Sequence, residues 1–79
     1  MTLDSINAEI GKRVRSRRRE IGITQAVLAQ SLAVTFQQVH KYERGQSAIS
    51  AAQLSAIASA LCAPIDYFYD SLAPEPDEA

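Results

Sequence analysis

The sequence has little of what disulfide-bonded, metal-binding and membrane proteins need. Among 79 residues there are one cysteine, one histidine and no tryptophan. The lone Cys62 excludes an intrachain disulfide, and one histidine supplies no zinc-ligand set. No apolar run approaches the ~20 residues that cross a bilayer, and the first residues lack the pattern of a signal peptide. These absences predict a cytoplasmic protein without a metal or cofactor, and Cys62 is expected to be buried in its Ala/Leu stretch.

The net charge of −1 hides an uneven distribution of charge along the chain. Residues 1–63 contain all eight Lys and Arg residues but only four acids, whereas residues 64–79 contain five acids and no base. Six of the bases lie between Lys12 and Arg19. This asymmetry predicts an anion-binding domain at 5–72 and a disordered acidic tail at 73–79. The low net charge argues against a nucleic-acid binder that ignores sequence.

The residues of the common catalytic sites are also missing. There is no Ser/His/Asp or Cys/His set, no glycine-rich phosphate loop and no pair of carboxylates in an evident pocket. An enzyme is therefore not expected.

The apolar periodicity predicts an all-α chain. We expect helix 1 to begin at a cap formed by Asp4 or Ser5 and to bury a face that runs from Ile6 to Ile21. Gly22 ends this helix, and Pro64 opens the last one. The predicted helices span 5–21, 25–32, 36–43, 51–62 and 65–72.

Three of these helices share a start signal, in which an apolar residue precedes a hydroxyl residue. The pairs are Ile23-Thr24, Val34-Thr35 and Ile49-Ser50. Each is followed, four residues after the hydroxyl, by a further apolar residue: Leu28, Val39 and Leu54. This arrangement is the hydrophobic staple beside an N-terminal cap, and it fixes how the chain enters a helix.

Residues 25–44 predict two short helices joined by a tight turn. Four apolar side chains of this segment would face inward: Ala29, Leu32, Val39 and Tyr42. Four others would face outward: Phe36, Gln37, Lys41 and Arg44. Helices this short need support from the rest of the chain. We interpret the pair as a helix-turn-helix whose second helix enters the major groove of DNA.

The outward side chains suit the reading of base edges. The amide of Gln37 can pair with adenine, Lys41 can donate to guanine or a phosphate, and Phe36 can press on a thymine methyl. Arg44, at the helix end, suits the DNA backbone. Gln38 is assigned to the cap of Thr35, and His40 to an exposed flank. The alternative is that these residues are simply a solvated helix face, with Phe36 packed against Val34 or in an interface.

Phosphate contacts are expected where helix 2 begins. The free N–H groups after Thr24 form an anion site, to which Gln25 can add its side chain. The arginines between Arg15 and Arg19 would add further backbone contacts, which make binding salt-dependent without selecting a sequence.

The segments RSRRREIGITQAVLAQSLAVTFQQVHKYERG and LSAIASALCAPIDYF resemble the Cro/CI-type helix-turn-helix regulators, the XRE family. The resemblance implies a compact five-helix lambda-repressor-like domain that acts in the cytoplasm and binds operator DNA, usually as a homodimer. It implies that Gln25 and Arg44 contact phosphates and that Phe36, Gln37 and Lys41 read bases. It also implies an ion pair between Arg18 and Glu43, which can present Arg18 to a phosphate. Ala33 departs from the family, which usually has glycine in this turn.

Two functions remain open at this point. The first is a sequence-specific transcription regulator, a repressor or autoregulator, which would dimerise through Tyr67, Tyr69 and Leu72. These residues could instead close the core together with Ile65 and Phe68. The second function is a protein-interaction module that uses the same fold, either an antitoxin that neutralises a toxin or an anti-repressor partner domain.

Overall fold

The computed structural model describes residues 2–72, and these form four α-helices and one turn of 3-10 helix. The elements are α1 (Leu3–Glu20), α2 (Gln25–Leu32), α3 (Phe36–Glu43), α4 (Ala51–Ala60) and the 3-10 turn (Ile65–Phe68). This part of the chain contains no β-strand, so the all-α prediction is confirmed. The bounds of α2 and α3 are those predicted. The predicted disordered tail at 73–79 lies outside the described residues.

The starts of α2, α3 and α4 follow the predicted caps. In each, the hydroxyl of the cap residue accepts a hydrogen bond from the backbone N–H three residues later: Thr24 from Val27 (3.1 Å), Thr35 from Gln38 (3.2 Å) and Ser50 from Gln53 (3.1 Å). The apolar residues before the caps, Ile23, Val34 and Ile49, pack against the core. Local side-chain chemistry therefore sets where these three helices begin.

The four α-helices also end alike, although only two of the ends carry the glycine that predicts such an end in a sequence. Each is followed by a residue in the left-handed conformation: Gly22 (φ 79°), Ala33 (φ 56°), Gly45 (φ 71°) and Cys62 (φ 54°). In each case the next residue's N–H bonds to the carbonyl five positions back, as in Val34 to Ala29 (3.0 Å) and Ala63 to Ala58 (3.0 Å). This is the Schellman motif. Because Cys62 occupies that position, α4 ends at Ala60 and not at 62, and Cys62 is exposed rather than buried.

The ends of the chain differ from the prediction. Thr2, not Asp4 or Ser5, caps α1 by accepting from the Ser5 N–H at 3.1 Å. Ile21 follows the last helical residue and is exposed, although it was expected on the buried face. Residues 65–72 do not form a fifth α-helix, and the five-helix prediction is wrong. Pro64 provides no side-chain cap, and the 3-10 turn stops at Phe68.

The core lies where all five elements meet. Its buried apolar residues are Val14, Leu28, Ala29, Leu32, Val39, Tyr42, Leu54, Ile57, Ala58, Leu61 and Phe68. α3 packs on α2 and α1, α4 packs on α2, and the 3-10 turn joins α4 to α1. The α1–α3 approach is close: a Cβ on Gly11 would lie 2.1 Å from the carbonyl oxygen of Tyr42. No described helix is both long and apolar enough to span a membrane.

Candidate nucleic-acid interface

The predicted reading face of α3 is exposed to solvent. Phe36 at its first residue is 53% exposed, a large value for an aromatic side chain, and Gln37 and Lys41 are exposed with it. Val39 and Tyr42, on the opposite side of the same helix, are buried. A single short helix thus has one face fixed in the core and another that presents an aromatic ring, an amide and an ammonium group.

Gln38 lies beside this face but has a structural contact. Its backbone N–H donates to the Thr35 hydroxyl, whereas its side-chain amide donates to the Ser47 hydroxyl at 3.1 Å. The sequence had predicted that this side chain takes part in the cap of Thr35, but it does not. It ties the start of α3 to the α3–α4 loop.

A buried ion pair joins α3 to α1. Arg18 Nε lies 2.7 Å from Glu43 Oε2, and its Nη2 lies 3.1 Å from Glu43 Oε1. The third nitrogen, Nη1, donates to the Ile23 carbonyl at 2.8 Å. The side chains of Arg18 and Glu43 are only 11% and 1% exposed. This two-point contact fixes the direction of Arg18 and holds α3 against the α1–α2 loop.

Gln25 extends this network to α2. Its side-chain amide nitrogen donates to Glu43 Oε1 at 3.0 Å and lies 3.5 Å from His40 Nδ1. Thr24, the preceding residue, uses its hydroxyl oxygen as the cap of α2. The first turn of α2 is therefore held against α3 by a polar contact in addition to the apolar core.

These residues surround a surface cleft of about 290 Å³. Its walls come from α1, α2 and the end of α3, and they are Arg15, Arg18, Gln25, His40, Glu43 and Arg44. Three arginines face one carboxylate, and that carboxylate is already neutralised by Arg18. The cleft is therefore suited to an anion, and it opens beside the exposed face of α3.

The basic run of α1 divides between two sides of the molecule. Arg15 and Arg18 line the cleft, whereas Arg13 and Arg17 point to the end of the described chain. Arg17 donates from Nε to the Leu61 carbonyl (2.9 Å) and from Nη2 to the Cys62 carbonyl (3.1 Å), and it also pairs with Glu20. Arg13 Nη1 donates to the carbonyls of Tyr67 (3.2 Å) and Asp70 (2.8 Å). Sequence reasoning missed these contacts, although the four-residue spacing of the two arginines indicates a shared helix face.

The last residues of the described chain, for which both a dimer contact and a core role were considered, divide between the core and the surface. Phe68 is fully buried and Ile65 packs against the core, so these two close the fold. Tyr67 and Tyr69 remain 40% and 43% exposed, and Leu72 is half-buried. The two tyrosines are thus available for contact with another molecule.

A comparison with protein families matches residues 14–68 to the helix-turn-helix family HTH_3. The match covers α2, α3, α4 and the buried pair. The chain belongs to the HTH_3 family.

Curated relatives of this HTH_3 chain are named as transcriptional regulators. It is 48% identical over 71 residues to an uncharacterized regulator from the ATPase CF(0) region of Rhodospirillum rubrum, a match that covers 90% of this chain and 66% of the relative. It is 38% identical over 65 residues to an HTH-type regulator of Sinorhizobium medicae, where the match covers 82% of this chain and 47% of the relative. The chain therefore spans less than two thirds of the length of these relatives.

Solved structures with the same fold include DNA-binding regulators. The restriction-modification controller C.AhdI of Aeromonas hydrophila matches with a TM-score of 0.79 and 26% identity over 84% of this chain and 96% of that chain. The P22 c2 repressor, crystallised with a synthetic operator, matches with a TM-score of 0.72 and 30% identity over 77% of this chain and 92% of that chain. The HTH_3 chain is thus similar to Cro/CI-type regulators in sequence and in fold.

Proposed function

We propose that this chain binds double-stranded DNA with sequence preference and acts as a transcription regulator, either a repressor or an autoregulator. The observation that carries the proposal is the geometry of α3. Its exposed residues Phe36, Gln37 and Lys41 project from a helix that the Arg18–Glu43 pair holds firmly against α1. A reading helix must be rigid in this way, because small changes in its angle move its side chains away from the base edges.

The three exposed residues take separate parts in base recognition. Gln37, in the first turn of α3, pairs with adenine, and Lys41, one turn later, donates to guanine. Phe36 contacts a thymine methyl group, which is consistent with its exposed ring.

Phosphate contacts come from the cleft beside α3. Gln25 and the free N–H groups that follow Thr24 bind one phosphate, and Arg44 binds another. Arg18 adds its charge and two further donors to this site, because Glu43 and the Ile23 carbonyl use only three of its five N–H groups.

A single reading helix covers only a few base pairs, so the DNA-bound form is a homodimer on two half-sites. The exposed Tyr67 and Tyr69, with Leu72, form the dimer contact. The similarity to the P22 c2 repressor, which was crystallised with an operator, and to the controller C.AhdI supports a repressor or autoregulator.

The decisive test is selection of bound duplexes from a random DNA pool, followed by gel shift at moderate salt. We expect a two-fold symmetric consensus with half-sites about one helical turn apart. Gln37→Ala should relax the preference at one position, whereas Arg44→Ala should weaken binding to all sequences alike and reduce the salt dependence by about one phosphate contact. Uniform weak binding to every duplex would refute sequence-specific regulation.

A further inference from the structure

The surface proposed for the dimer contact lies on a segment that has little regular structure of its own. Its 3-10 turn is four residues long and has no side-chain cap, and the chain then passes through a left-handed residue at Ser71 (φ 66°). Phe68 anchors the turn in the core, and the ring of Tyr67 packs edge-on against it, with the ring centroids 5.0 Å apart. A single turn this short does not hold its shape in water. Contacts from elsewhere must therefore fix the direction in which Tyr67 and Tyr69 project.

Arg13 on α1 supplies such a contact. Its Nη1 donates to the carbonyl of Tyr67 at 3.2 Å and to the carbonyl of Asp70 at 2.8 Å, so one nitrogen bridges two points of the main chain. Within residues 2–72, no other side chain donates to the main chain of 66–72. The Arg13 side chain is only 25% exposed, and hydrogen bonds from a charged donor are stronger than those from a neutral one. Arg13 therefore fixes the main chain on both sides of Tyr69 relative to α1.

The same helix also holds the reading helix α3. Arg18 binds Glu43 at 2.7 Å, and the backbones of α1 and α3 approach closely at Gly11. α1 is the helix that packs against both α3 and the 3-10 turn. Arg13 and Arg18 are five residues apart, which separates them by about 7.5 Å along the axis and places them on different sides of the helix. The reading helix and the dimer surface are thus attached to one rigid helix, each by an arginine.

This arrangement matters on DNA, because a dimer must place its two reading helices at the separation of the two half-sites. One base pair more or less between the half-sites moves them by about 3.4 Å along the DNA axis and turns them by about 35° around it. We propose that Arg13 is a positioning residue that fixes the separation of the reading helices and so determines which half-site spacing the dimer accepts. The inference rests on the proposed function, since it needs a homodimer that contacts DNA through α3 and its own partner through Tyr67 and Tyr69.

Selection from a pool of duplexes that carry two half-sites and a spacer of variable length measures this role. The wild type should select one spacer length, and a change of one base pair in the spacer should weaken its binding roughly tenfold, as a mismatched base pair does. Arg13→Met keeps an apolar stem but loses the donors. It should select the same half-site sequence while it loses most of the spacer preference, whereas a loss of stability alone would weaken binding to all spacers alike. An Arg13→Met protein with the wild-type spacer preference would overturn the proposal.

Lys12→Met is the matched control for this experiment. Lys12 precedes Arg13 on α1 and pairs with the same carboxylate, that of Glu9, at 3.5 Å, but its side chain is 74% exposed. Within residues 2–72 it makes no hydrogen bond to the main chain of 66–72. Both substitutions remove one positive charge, so weaker DNA binding caused by the lost charge should be equal in the two variants. Only Arg13→Met should lose the spacer preference, and an equal loss in Lys12→Met would overturn the proposal.

Two measurements without DNA report on the same contact. Hydrogen exchange of the free protein should become faster at 67–72 in Arg13→Met and stay unchanged in α2 and α3, which also shows that the variant is folded. Sedimentation equilibrium should show dimerisation roughly tenfold weaker than in the wild type and in Lys12→Met, because the tyrosines are no longer held in place for contact. Arg13→Gln, whose side chain is too short to reach either carbonyl, should give the same two results and serves where Arg13→Met does not fold. Wild-type exchange at 67–72 in a folded variant would contradict the proposal.

The two proposals fail in different ways. Uniform weak binding of the wild type to every duplex refutes the proposed function, while hydrogen exchange and sedimentation still decide whether Arg13 holds the dimer surface. A wild type that selects single half-sites and no spacer keeps sequence-specific binding but loses the inference. A wild type with a strict spacer preference that Arg13→Met shares keeps the proposed function and loses only the inference.

Discussion

The helix-turn-helix at 24–44 and the segment at 61–72 are both held by α1, but through different kinds of partner. Toward the helix-turn-helix, Arg18 binds the side chain of Glu43, and Gly11 lets the backbones of α1 and α3 approach. Toward the other segment, Arg13 and Arg17 bind only main-chain carbonyls. The Arg18–Glu43 pair was expected because the resemblance to the XRE family implies it. The contacts of Arg13 and Arg17 were not expected, because their acceptors are main-chain carbonyls, which every residue has.

The largest effect should come from the backbone contact on the helix-turn-helix side. Gly11→Ala places a Cβ 2.1 Å from the Tyr42 carbonyl oxygen, so α3 must move. We expect a loss of about 3 kcal/mol or more in the free energy of unfolding, measured by urea denaturation. Gly22→Ala is the control, because it meets nothing within 4 Å and suffers only from its positive φ, at about 1 kcal/mol. Equal losses in the two variants would argue against the close α1–α3 approach.

Removal of the buried carboxylate should have the next largest effect. Glu43→Gln removes the counter-charge of Arg18, whose side chain is only 11% exposed, and we expect a loss of about 3 kcal/mol by the same denaturation assay. Glu20→Gln removes a carboxylate that pairs with Arg17 but is 64% exposed, and it should change stability by less than about 0.5 kcal/mol. If both variants were equally mild, the rigid attachment of α3 would not depend on the ion pair.

Loss of the Arg17 contacts to main-chain carbonyls should lower the stability less, and it should affect only the region around the end of α4. Arg17→Met loses two hydrogen bonds to the end of α4, for which we expect a loss of about 1.5 kcal/mol. Hydrogen exchange should become faster at 61–69 and stay unchanged in α2 and α3. The matched control is Arg19→Met, an exposed arginine of the same run. Faster exchange across the whole domain would show that the two regions are not held independently.

The smallest effect on stability should come from substitutions at two helix ends, one in each region. Ala33 ends α2 and Cys62 follows α4, both with positive φ. Replacement of either by glycine relieves the left-handed strain, and this gain exceeds the cost of the extra entropy of the unfolded chain. We therefore expect the free energy of unfolding of each variant, measured by thermal denaturation, to rise by about 0.5–1 kcal/mol. Similar gains at both sites would show that the two ends are strained alike, although only one lies in the helix-turn-helix. A loss at either site would contradict the strain argument.

The sequence predicted those parts of the candidate site that depend on residues close to one another in the chain. The caps at Thr24 and Thr35 and the inward Val39 and Tyr42 follow from local spacing within one or two helical turns. The position of Gln38 was not predictable, because its partner Ser47 lies across a loop. The cleft around His40 was also missed, since it is assembled from three helices and no local pattern places them together.

The sequence by itself determined where α2, α3 and α4 begin and which side of α3 is buried, because caps, staples and helical periodicity act within one or two turns. The tertiary structure decided which arginines face the cleft and which hold the last residues of the described chain. Those outcomes depend on contacts between residues 25 to 57 positions apart, such as Arg18 with Glu43 and Arg13 with Asp70. Such contacts form only after the packed core has fixed the direction of α1.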